Sequence, residues 1–316
     1  MSAQPDQTAV ATAPAGAPRA RRGVSLEARS ARFAYYMLIP ALVVVVVVAL
    51  YPMINTIITS FTNAQFGSKT TDFVGLQNYS KLIRDQSFWS SVWVAVRFTI
   101  TTVVFEFLLG LLIAVVVNSA FRGRGIVRAS MLIPWALITV ISAAMWKLMY
   151  NQIYGVFNDI LVYRLGLLKT NVDWLGSTAT AVPATAAIDI WKTTPFIALI
   201  LLAGLQTIPS DLYEAADVDG ASRFRSFFSV TLPLLMPSIL VAVVFRALDA
   251  LRVFDVFFVL FGGRADTTTM AVYVQENIVS FGKVGYGSAI SVAILIIIGI
   301  FIGFYVIASR WSAARS

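Results

Sequence analysis

Cations and anions alternate at regular spacing in an otherwise apolar stretch of this chain. They are Arg246, Asp249, Arg252 and Asp255, each three residues after the one before. Residues three apart on a helix are neighbours, so opposite charges at this spacing can pair as a ladder. If the stretch crosses a membrane, such charges are costly and usually face other protein or a water-filled path. The spacing therefore predicts either a structural salt-bridge ladder or a polar wall along a path for a polar solute.

A polar solute with hydroxyl groups would need charged or amide partners for its hydrogen bonds and aromatic faces for its less polar surfaces. Two apolar stretches offer both kinds of group. The predicted path-lining residues are Asp249, Arg252, Asp255 and Phe254 in one stretch, and Trp191, Lys192 and Thr193 in the other. Phe257 and Phe258 offer further aromatic faces, although aromatic residues in spans more often serve packing alone. Other ionisable residues in or near apolar stretches are Arg97, Glu106 and Asp189.

A second polar interruption lies between Tyr213 and Pro237, with the sequence YEAADVDGASRFRSFFSVTLPLLMP. Pro209 ends the apolar run before it, and Ser210 or Asp211 can cap a short helix. Acidic residues are favoured in the first turn of a helix, where Asp211 and Glu214 fall. Gly220 suits the left-handed residue that ends a helix.

The small residues Ala215 and Ala216 leave part of this short helix nearly bare, so another chain could approach closely. After Gly220 we predict a second, amphipathic helix over about 221–230, and Leu232-Pro233 then begins the next apolar span. The result would be a knob with a charged tip, suited to a socket in another protein. The alternative is a loop that lies on lipid headgroups with its charges solvated.

The composition shows which solvent the rest of the chain faces. The chain has 316 residues, of which 58% are hydrophobic and 13% charged, against about 25% charged in a soluble domain. A span needs about 20 mostly apolar residues. We predict an all-α membrane protein with six transmembrane helices at about 33–59, 91–120, 130–150, 181–205, 234–260 and 286–309.

The chain has no Cys and no His, which excludes disulfides, Cys/His zinc sites and His acid–base chemistry.

The basic residues predict the orientation. The net charge of +8 comes from Lys and Arg at the ends of spans, which indicates membrane topology and not nucleic-acid binding. Their density places both termini and the second and fourth loops in the cytoplasm. Residues 1–32, rich in Ala, Pro, Ser and Arg, are predicted to be a disordered cytoplasmic tail, because the apolar run after them is too long for a cleaved signal peptide. Residues 33–316 are predicted to form the transmembrane domain, with its core at about 91–309.

The loop at 207–235, called the EAA loop below, carries a resemblance to a known family. Glu214-Ala215-Ala216, Gly220, Val230 and Leu232-Pro233 match the cytoplasmic signature of permease subunits in ATP-binding-cassette importers, with Val230 in place of the usual isoleucine. The stretches DGAS (219–222), GLQNYSKLI (75–83) and VFDVFFVLFGG (253–263) are similar to the carbohydrate branch. The chain resembles the maltose-type first permease over roughly 33–312, without its large external insertion. WKTTPF (191–196) with FRALDALRVFD (245–255) is similar to permeases of actinobacterial trehalose importers.

The resemblance implies a division of labour in a plasma or inner membrane. A second homologous permease, a homodimeric ATPase that binds ATP and Mg²⁺, and an extracytoplasmic sugar-binding protein or lipoprotein would complete the importer. The EAA loop would couple this chain to the ATPase through Glu214, Ala215, Ala216, Asp219, Gly220, Leu232 and Pro233. This chain would bind no cofactor or metal, and it is predicted not to be an enzyme. It has no phosphate-binding loop, since Gly282-Lys283 is followed by Val284.

Two other classes of function stay open at this point. An ion-coupled secondary transporter of a small polar solute would need a mid-membrane ion site, for which the fifth-span acids are candidates, but it would have no use for the EAA loop. A membrane scaffold would have no substrate. Among importer substrates, a disaccharide such as trehalose fits the resemblance best.

Overall fold

The computed structural model describes residues 26–68, 70–119 and 121–313. The chain divides into two compact units, Met1–Ile54 and Asn55–Ser316. The described part of the first unit is helical, with α1 at Leu26–Val45, a π-helical segment at Val46–Leu50 and the start of α2, Tyr51–Thr59. Residues 26–32, which we predicted as part of the disordered tail, belong to α1, because Leu, Glu, Ala and Arg favour helix. The remainder of the predicted tail lies outside the described residues.

The second unit is helical as well, and an isolated bridge between Thr62 and Phe73 is the one β contact in its described residues. Its α-helices are α3 Gln77–Ile83, α4 Gln86–Asn118, α5 Arg124–Met131, α6 Ile133–Ala136, α7 Thr139–Met149, α8 Val156–Asn158, α9 Thr178–Leu205, α10 Asp211–Val218, α11 Arg223–Ser226, α12 Leu232–Leu251, α13 Asp255–Phe261, α14 Met270–Gln275 and α15 Val284–Ala313. Its π-helical segments are Asp159–Arg164, Phe227–Thr231 and Glu276–Ser280. Five helices in the described chain are long and apolar enough to cross a membrane, or six with one bent pair. The predicted all-α membrane class is confirmed.

The predicted second, fourth and sixth spans correspond to α4, α9 and α15, but the third differs from its prediction. In place of one helix over 130–150, α5 and α6 meet α7 at a bend of 88°. Leu137 and Ile138, between α6 and α7, are extended. Pro134 lies in the first turn of α6, where its missing N–H costs no hydrogen bond. The proline therefore begins a short new helix there, which ends before α7.

The predicted fifth span also differs. A continuous helix was expected over 234–260, whereas α12 ends at Leu251 and α13 begins at Asp255. The residues between them, 252–254, are not helical. At its other end, the helical path extends back through the π-helical segment and α11 to Arg223. Arg252 and Asp255 are therefore not successive members of one regular helix with Arg246 and Asp249.

The centre of the second unit is a bundle of α4, α9 and α12, which pack against one another. One buried apolar cluster lies towards the ends of α4 and α9 near the EAA loop and includes Val117, Leu201 and Leu235. We call this the EAA end of the bundle. A second cluster lies towards the opposite end and includes Phe98 and Ile188. Each of the three helices contributes to both clusters, so the segment between them is fixed from both sides.

Close approach of α4 to α9 depends on Gly110. A Cβ atom added there would lie 2.7 Å from Cγ2 of Ile197 and 3.2 Å from the backbone nitrogen of Ala198. A side chain at this position would force the two backbones apart, because close-packed interiors have no room to absorb it. The glycine thus sets the separation of the two helices that carry the middle of the bundle.

The start of α4 is held by Asp85, which the sequence reasoning missed. Its carboxylate accepts hydrogen bonds from the backbone N–H groups of Ser87 (3.0 Å) and Phe88 (3.4 Å), from the Tyr273 hydroxyl (2.6 Å) and from the Tyr286 hydroxyl. Burial alone would raise the pKa of Asp85, but these hydrogen bonds together lower the pKa below its usual value. Asp85 therefore joins the start of α4 to α14 and α15.

Candidate functional site

A buried ion cluster occupies the middle of the bundle, between the two apolar clusters. Arg246 on α12 and Glu106 on α4 are both buried, with relative exposures of 2% and 0%. Nε of Arg246 lies 2.6 Å from Oε2 of Glu106, and Nη2 lies 3.0 Å from Oε1, so the pair is bidentate. Nη2 also contacts the carboxylate of Asp189 on α9. One guanidinium thus connects all three central helices.

Two further side chains complete the cluster. The Thr193 hydroxyl donates to Oε1 of Glu106 at 2.5 Å, and Nη1 of Arg246 donates to Oδ2 of Asp249 at 2.9 Å. The latter is the predicted pair at a spacing of three. The ladder does not continue, because Nε of Arg252 donates to the backbone oxygen of Leu248 at 3.2 Å. The helix ends at Leu251, so Arg252 and Asp255 leave the line of the ladder.

A cavity of about 240 Å³, called the polar cavity below, lies beside the cluster. Its lining includes Trp135, Thr139, Asp189, Lys192, Thr193, Arg246, Asp249, Arg252, Phe254 and Asp255. A second cavity of about 350 Å³ shares five of these lining residues, Trp135, Thr193, Arg246, Asp249 and Arg252, and adds Phe196, Phe245 and Leu248. The Trp135 ring stacks on Phe196 with centroids 6.0 Å apart, so an aromatic wall faces the charged one.

Both breaks in the helical spans lie at the polar cavity. Trp135 and Thr139, on either side of the bend between α6 and α7, line it. The break between α12 and α13 lines it with Arg252, Val253 and Phe254. Non-helical backbone at membrane depth is tolerated where it is buried in protein or faces a water-filled cavity, and broken helices form solute sites in other transporters. The breaks therefore mark this cavity as the candidate site.

The charges that line the polar cavity balance. Three cationic residues (Lys192, Arg246 and Arg252) face three acidic ones (Asp189, Asp249 and Asp255). Within the described part of the chain, Lys192 and Arg252 form no salt bridge. Nε of Arg252 is used by the Leu248 oxygen, which leaves its Nη groups and the Lys192 ammonium for a solute. A lining that offers both donors and acceptors, without net charge, suits a neutral polar solute with many hydroxyls.

The structure brings together six of the seven predicted path residues: Lys192, Thr193, Asp249, Arg252, Phe254 and Asp255. Trp191 is not among the lining residues, and its ring lies 5.6 Å from that of Trp146 in an aromatic group. Phe257 is buried against Phe98, with ring centroids 5.0 Å apart, and so serves packing. Sequence reasoning missed Trp135 and Thr139. The proline at 134, inside an apolar stretch, was the available signal for a break there.

The EAA loop forms a short helix with the predicted turn. Gly220 follows α10 with a φ of +73°. The N–H of Ala221 donates to the Ala216 oxygen at 2.9 Å, and the N–H of Gly220 donates to the Asp217 oxygen at 3.0 Å. This pair of bonds is the Schellman motif that ends helices at a left-handed residue. The prediction for Gly220 as the helix-ending residue is confirmed.

Two details of the loop differ from prediction. The Ser210 side chain does not cap α10, since Ser210 itself has helical φ and ψ and makes no capping side-chain bond. The second helix does not end before Pro233. It begins at Arg223, where the Ser222 hydroxyl accepts from the Arg225 N–H at 3.3 Å, and continues through Phe227–Thr231 into α12. Pro233 lies in the first turn of α12, where it breaks no helix.

The surface of α10 is largely open. None of its residues is buried, and Glu214, Ala215, Asp219 and Gly220 are exposed, as is Pro233. Val218 has a relative exposure of 88%. Ala216 is half-buried and Leu232 packs against the apolar cluster of the EAA end. An exposed helix with both an acid and uncovered apolar side chains is typical of a docking surface.

A set of membrane-crossing helices around a polar cavity with broken spans defines a membrane transport protein. The family of the "Binding-protein-dependent transport system inner membrane component" matches residues 106–313, and the chain belongs to this family. It is a permease subunit of an ATP-binding-cassette importer and not an enzyme, because ATP hydrolysis in such systems belongs to a separate subunit. The resemblance drawn from the EAA loop is confirmed.

Several relatives are similar over nearly their whole length. The chain is 45% identical over 274 residues to the trehalose/maltose transport system permease protein MalF of Thermococcus litoralis, covering 86% of this chain and 92% of that protein. It is 40% identical to the sulfoquinovosyl glycerol transport system permease protein SmoG of Agrobacterium fabrum, over 91% and 93% of the two chains. It is 37% identical to the trehalose transport system permease protein SugA of Mycobacterium tuberculosis, over 83% and 84%. A bacterial alginate importer has the same fold, with a TM-score of 0.78 at 22% identity, over 90% of this chain and 97% of that one.

Proposed function

We propose that this chain forms half of the membrane path for a neutral sugar, and that the sugar is a disaccharide such as trehalose. The observation that carries the proposal is the polar cavity, whose charges balance and whose wall includes two broken spans. Sugar hydroxyls both donate and accept, so paired cations and acids beside Trp135 and Phe254 match their chemistry. Two relatives are named as a trehalose/maltose permease and a trehalose permease, which supports a disaccharide.

The proposal includes the partners and the orientation. The exposed face of α10 docks on a homodimeric ATPase, which binds the ATP and Mg²⁺ on the cytoplasmic side. Both chain termini then lie in the cytoplasm. A second, homologous permease completes the path in the inner membrane, and an extracytoplasmic sugar-binding protein or lipoprotein delivers the sugar. A structure related to this fold contains a periplasmic protein loaded with an alginate pentasaccharide, which supports delivery by such a protein.

The alternative of an ion-coupled transporter has less support at the same site. A coupling cation would need free carboxylates in the middle of the bundle. Glu106, Asp189 and Asp249 are all engaged by the guanidinium of Arg246. No group of three or more acids that could hold a metal ion occurs among the described residues. Each of these acids already pairs with the buried cation, which leaves a coupling-ion site less support than a solute path.

Substitutions in the polar cavity test the path. We expect Asp249→Asn and Arg252→Gln each to lower the rate of trehalose import in proteoliposomes about 10-fold or more, since a hydrogen bond from a charged group contributes about 1.5–3 kcal/mol. Arg264→Gln is the matched control. Arg264 does not line the polar cavity, and its Nε lies 2.6 Å from Oδ1 of Asp266. Wild-type import by both variants, with normal assembly of the complex, would refute the path assignment.

A second experiment tests the docking face. Both Asp211 and Glu214 are exposed acids in the first turn of α10, but Glu214 belongs to the EAA signature and Asp211 does not. We expect Glu214→Ala to lower the amount of ATPase that co-purifies with the permease several-fold, whereas Asp211→Ala leaves it within about 2-fold. The several-fold loss corresponds to about 1 kcal/mol of binding free energy, and a 2-fold change to less than that. Equal recovery of ATPase with both variants would contradict the assigned role of Glu214.

A further inference from the structure

The short helix α10 is held to the bundle by few side chains. Only Tyr213 and Ala216 are half-buried, and the other residues of α10 are exposed. The apolar clusters of the bundle include no residue of α10. Because packing against neighbours is what makes an element rigid, α10 is free to shift as a unit relative to the ends of α4 and α9.

A cavity of about 590 Å³ lies beneath α10. Its walls come from the C-terminal ends of α4 and α9, at Val115, Ser119 and Leu205, and from Tyr213 and Asp217 on α10 itself. The space separates α10 from the helix ends that would otherwise support it. A displacement of α10 would therefore change the shape of this cavity before it pushed on α4 or α9.

One hydrogen bond crosses from α10 to the main bundle. The hydroxyl of Tyr213 lies 3.0 Å from Oγ1 of Thr231. Thr231 is buried, with a relative exposure of 6%. In the part of the chain that the structure describes, this is the only hydrogen bond that joins a side chain of α10 to another helical element. The peptide connection at Gly220 is a turn with a positive φ, which can act as a hinge.

The partner of Tyr213 stands at the start of the helix that leads to the polar cavity. Thr231 ends the π-helical segment Phe227–Thr231 and directly precedes α12. Arg246 and Asp249, on the same α12, line the polar cavity. Pro237 lies inside α12 and removes one of its backbone hydrogen bonds, but the helix continues through it to Leu251. We expect a movement imposed on Thr231 to travel along this helix to Arg246, 15 residues further on, at about 1.5 Å per residue.

We propose that Tyr213 is a positioning residue that transmits movement of α10 to α12 through its hydrogen bond with Thr231. This role rests on the proposed docking of α10 on an ATPase. The Tyr213 side chain lines the cavity beneath α10, and its hydroxyl makes the connection to Thr231. In this role Tyr213 binds neither ATP nor sugar. It transmits the closing movement of the ATPase to the helix that lines the polar cavity.

The test uses the full complex of both permeases, ATPase and binding protein in proteoliposomes, with trehalose as the probe. We expect Tyr213→Phe and Thr231→Val each to lower import at least 5-fold and to raise ATP hydrolysis in the absence of trehalose at least 2-fold, while the ATPase still co-purifies. Thr231→Ser, which keeps the hydroxyl, restores both values. The double variant Tyr213→Phe with Thr231→Val resembles either single variant, because both remove the same bond.

The matched control is Tyr154→Phe, which removes the hydroxyl of an exposed tyrosine far from the EAA end. If Tyr213→Phe matches this control in both import and hydrolysis, or if the double variant multiplies the two single effects, the proposed connection is wrong. The proposed solute is tested separately. If the wild-type complex hydrolyses ATP but imports no trehalose, the assignment of trehalose is wrong. The rate of ATP hydrolysis without solute, compared between wild type and Tyr213→Phe, then still decides the role of Tyr213.

Discussion

Arg246→Met is expected to lower the free energy of unfolding by about 3–5 kcal/mol, the usual cost of removing one partner from a buried ion pair. The substitution keeps an apolar stem of similar length but leaves Glu106 and Asp189 without their counter-charge in the middle of the bundle. Chemical denaturation of the purified chain in detergent measures the change. Because the cluster joins α4, α9 and α12, most of the variant should also fail to elute as a folded permease in gel filtration.

Arg252→Met is the control for this experiment. It removes the same charge six residues later, but Arg252 is exposed and forms no salt bridge in the described chain. We expect less than about 1 kcal/mol of destabilisation from it. Adding Glu106→Gln to Arg246→Met should recover part of the loss, since one unpaired buried charge is then absent. Equal unfolding curves for the two arginine variants would show that the cluster does not stabilise the bundle.

Gly220→Val is expected to abolish import, with a loss of more than about 10-fold, while the bundle stays folded. Gly220 has a φ of +73° and no atom within 4 Å of an added Cβ, so steric contact is not the problem. The cost arises from the left-handed backbone, about 1–2 kcal/mol for a residue with a Cβ and more for a β-branched one. The turn can relieve this strain only by reorienting α10, which removes Glu214 from its docking position. Import assays and ATPase co-purification measure the loss.

Gly67→Val separates strain from function. Gly67 has a similar φ of +79° and is equally free of neighbouring atoms, but it lies well outside the EAA loop. The two variants should therefore have similar local strain. We expect import by Gly67→Val to stay within about 2-fold of wild type. If both variants lose import alike, then a general loss of stability, and not the geometry of the EAA loop, accounts for the effect of Gly220→Val.

Local features of the chain were predictable from the sequence. The end of α10 at Gly220 follows from the backbone freedom of glycine, and the pair of Arg246 with Asp249 follows from helical spacing. The apolar runs and sparse charges indicated membrane helices, because about 20 apolar residues suffice to cross a bilayer. The EAA signature indicated the family. Each of these inferences depends on residues close together in the sequence, where local geometry dominates.

The breaks within spans were less predictable: Pro134 was a signal near the first, but no residue in 252–254 marked the second. Leu137 and Ile138 are as apolar as their neighbours, and 252–254 continue a helical pattern of charges. The polar cavity lies beside both breaks, with Trp135 and Thr139 lining it at the first and Arg252, Val253 and Phe254 at the second. Apolar periodicity indicates which residues avoid water. It does not indicate where a regular helix ends and a non-helical segment beside a cavity begins.

The sequence by itself determined the class of this protein, the approximate places of its apolar spans and the turn that ends α10. The tertiary structure alone decided which charges are structural and which face the cavity. Glu106 binds Arg246 from 140 residues away, and no spacing rule predicts a pair at that separation. Trp191, a neighbour of Lys192 in sequence, turns to Trp146, while Lys192 lines the cavity. Burial depends on which helices meet, so the division between a structural ion cluster and an open polar wall is a property of the packed bundle.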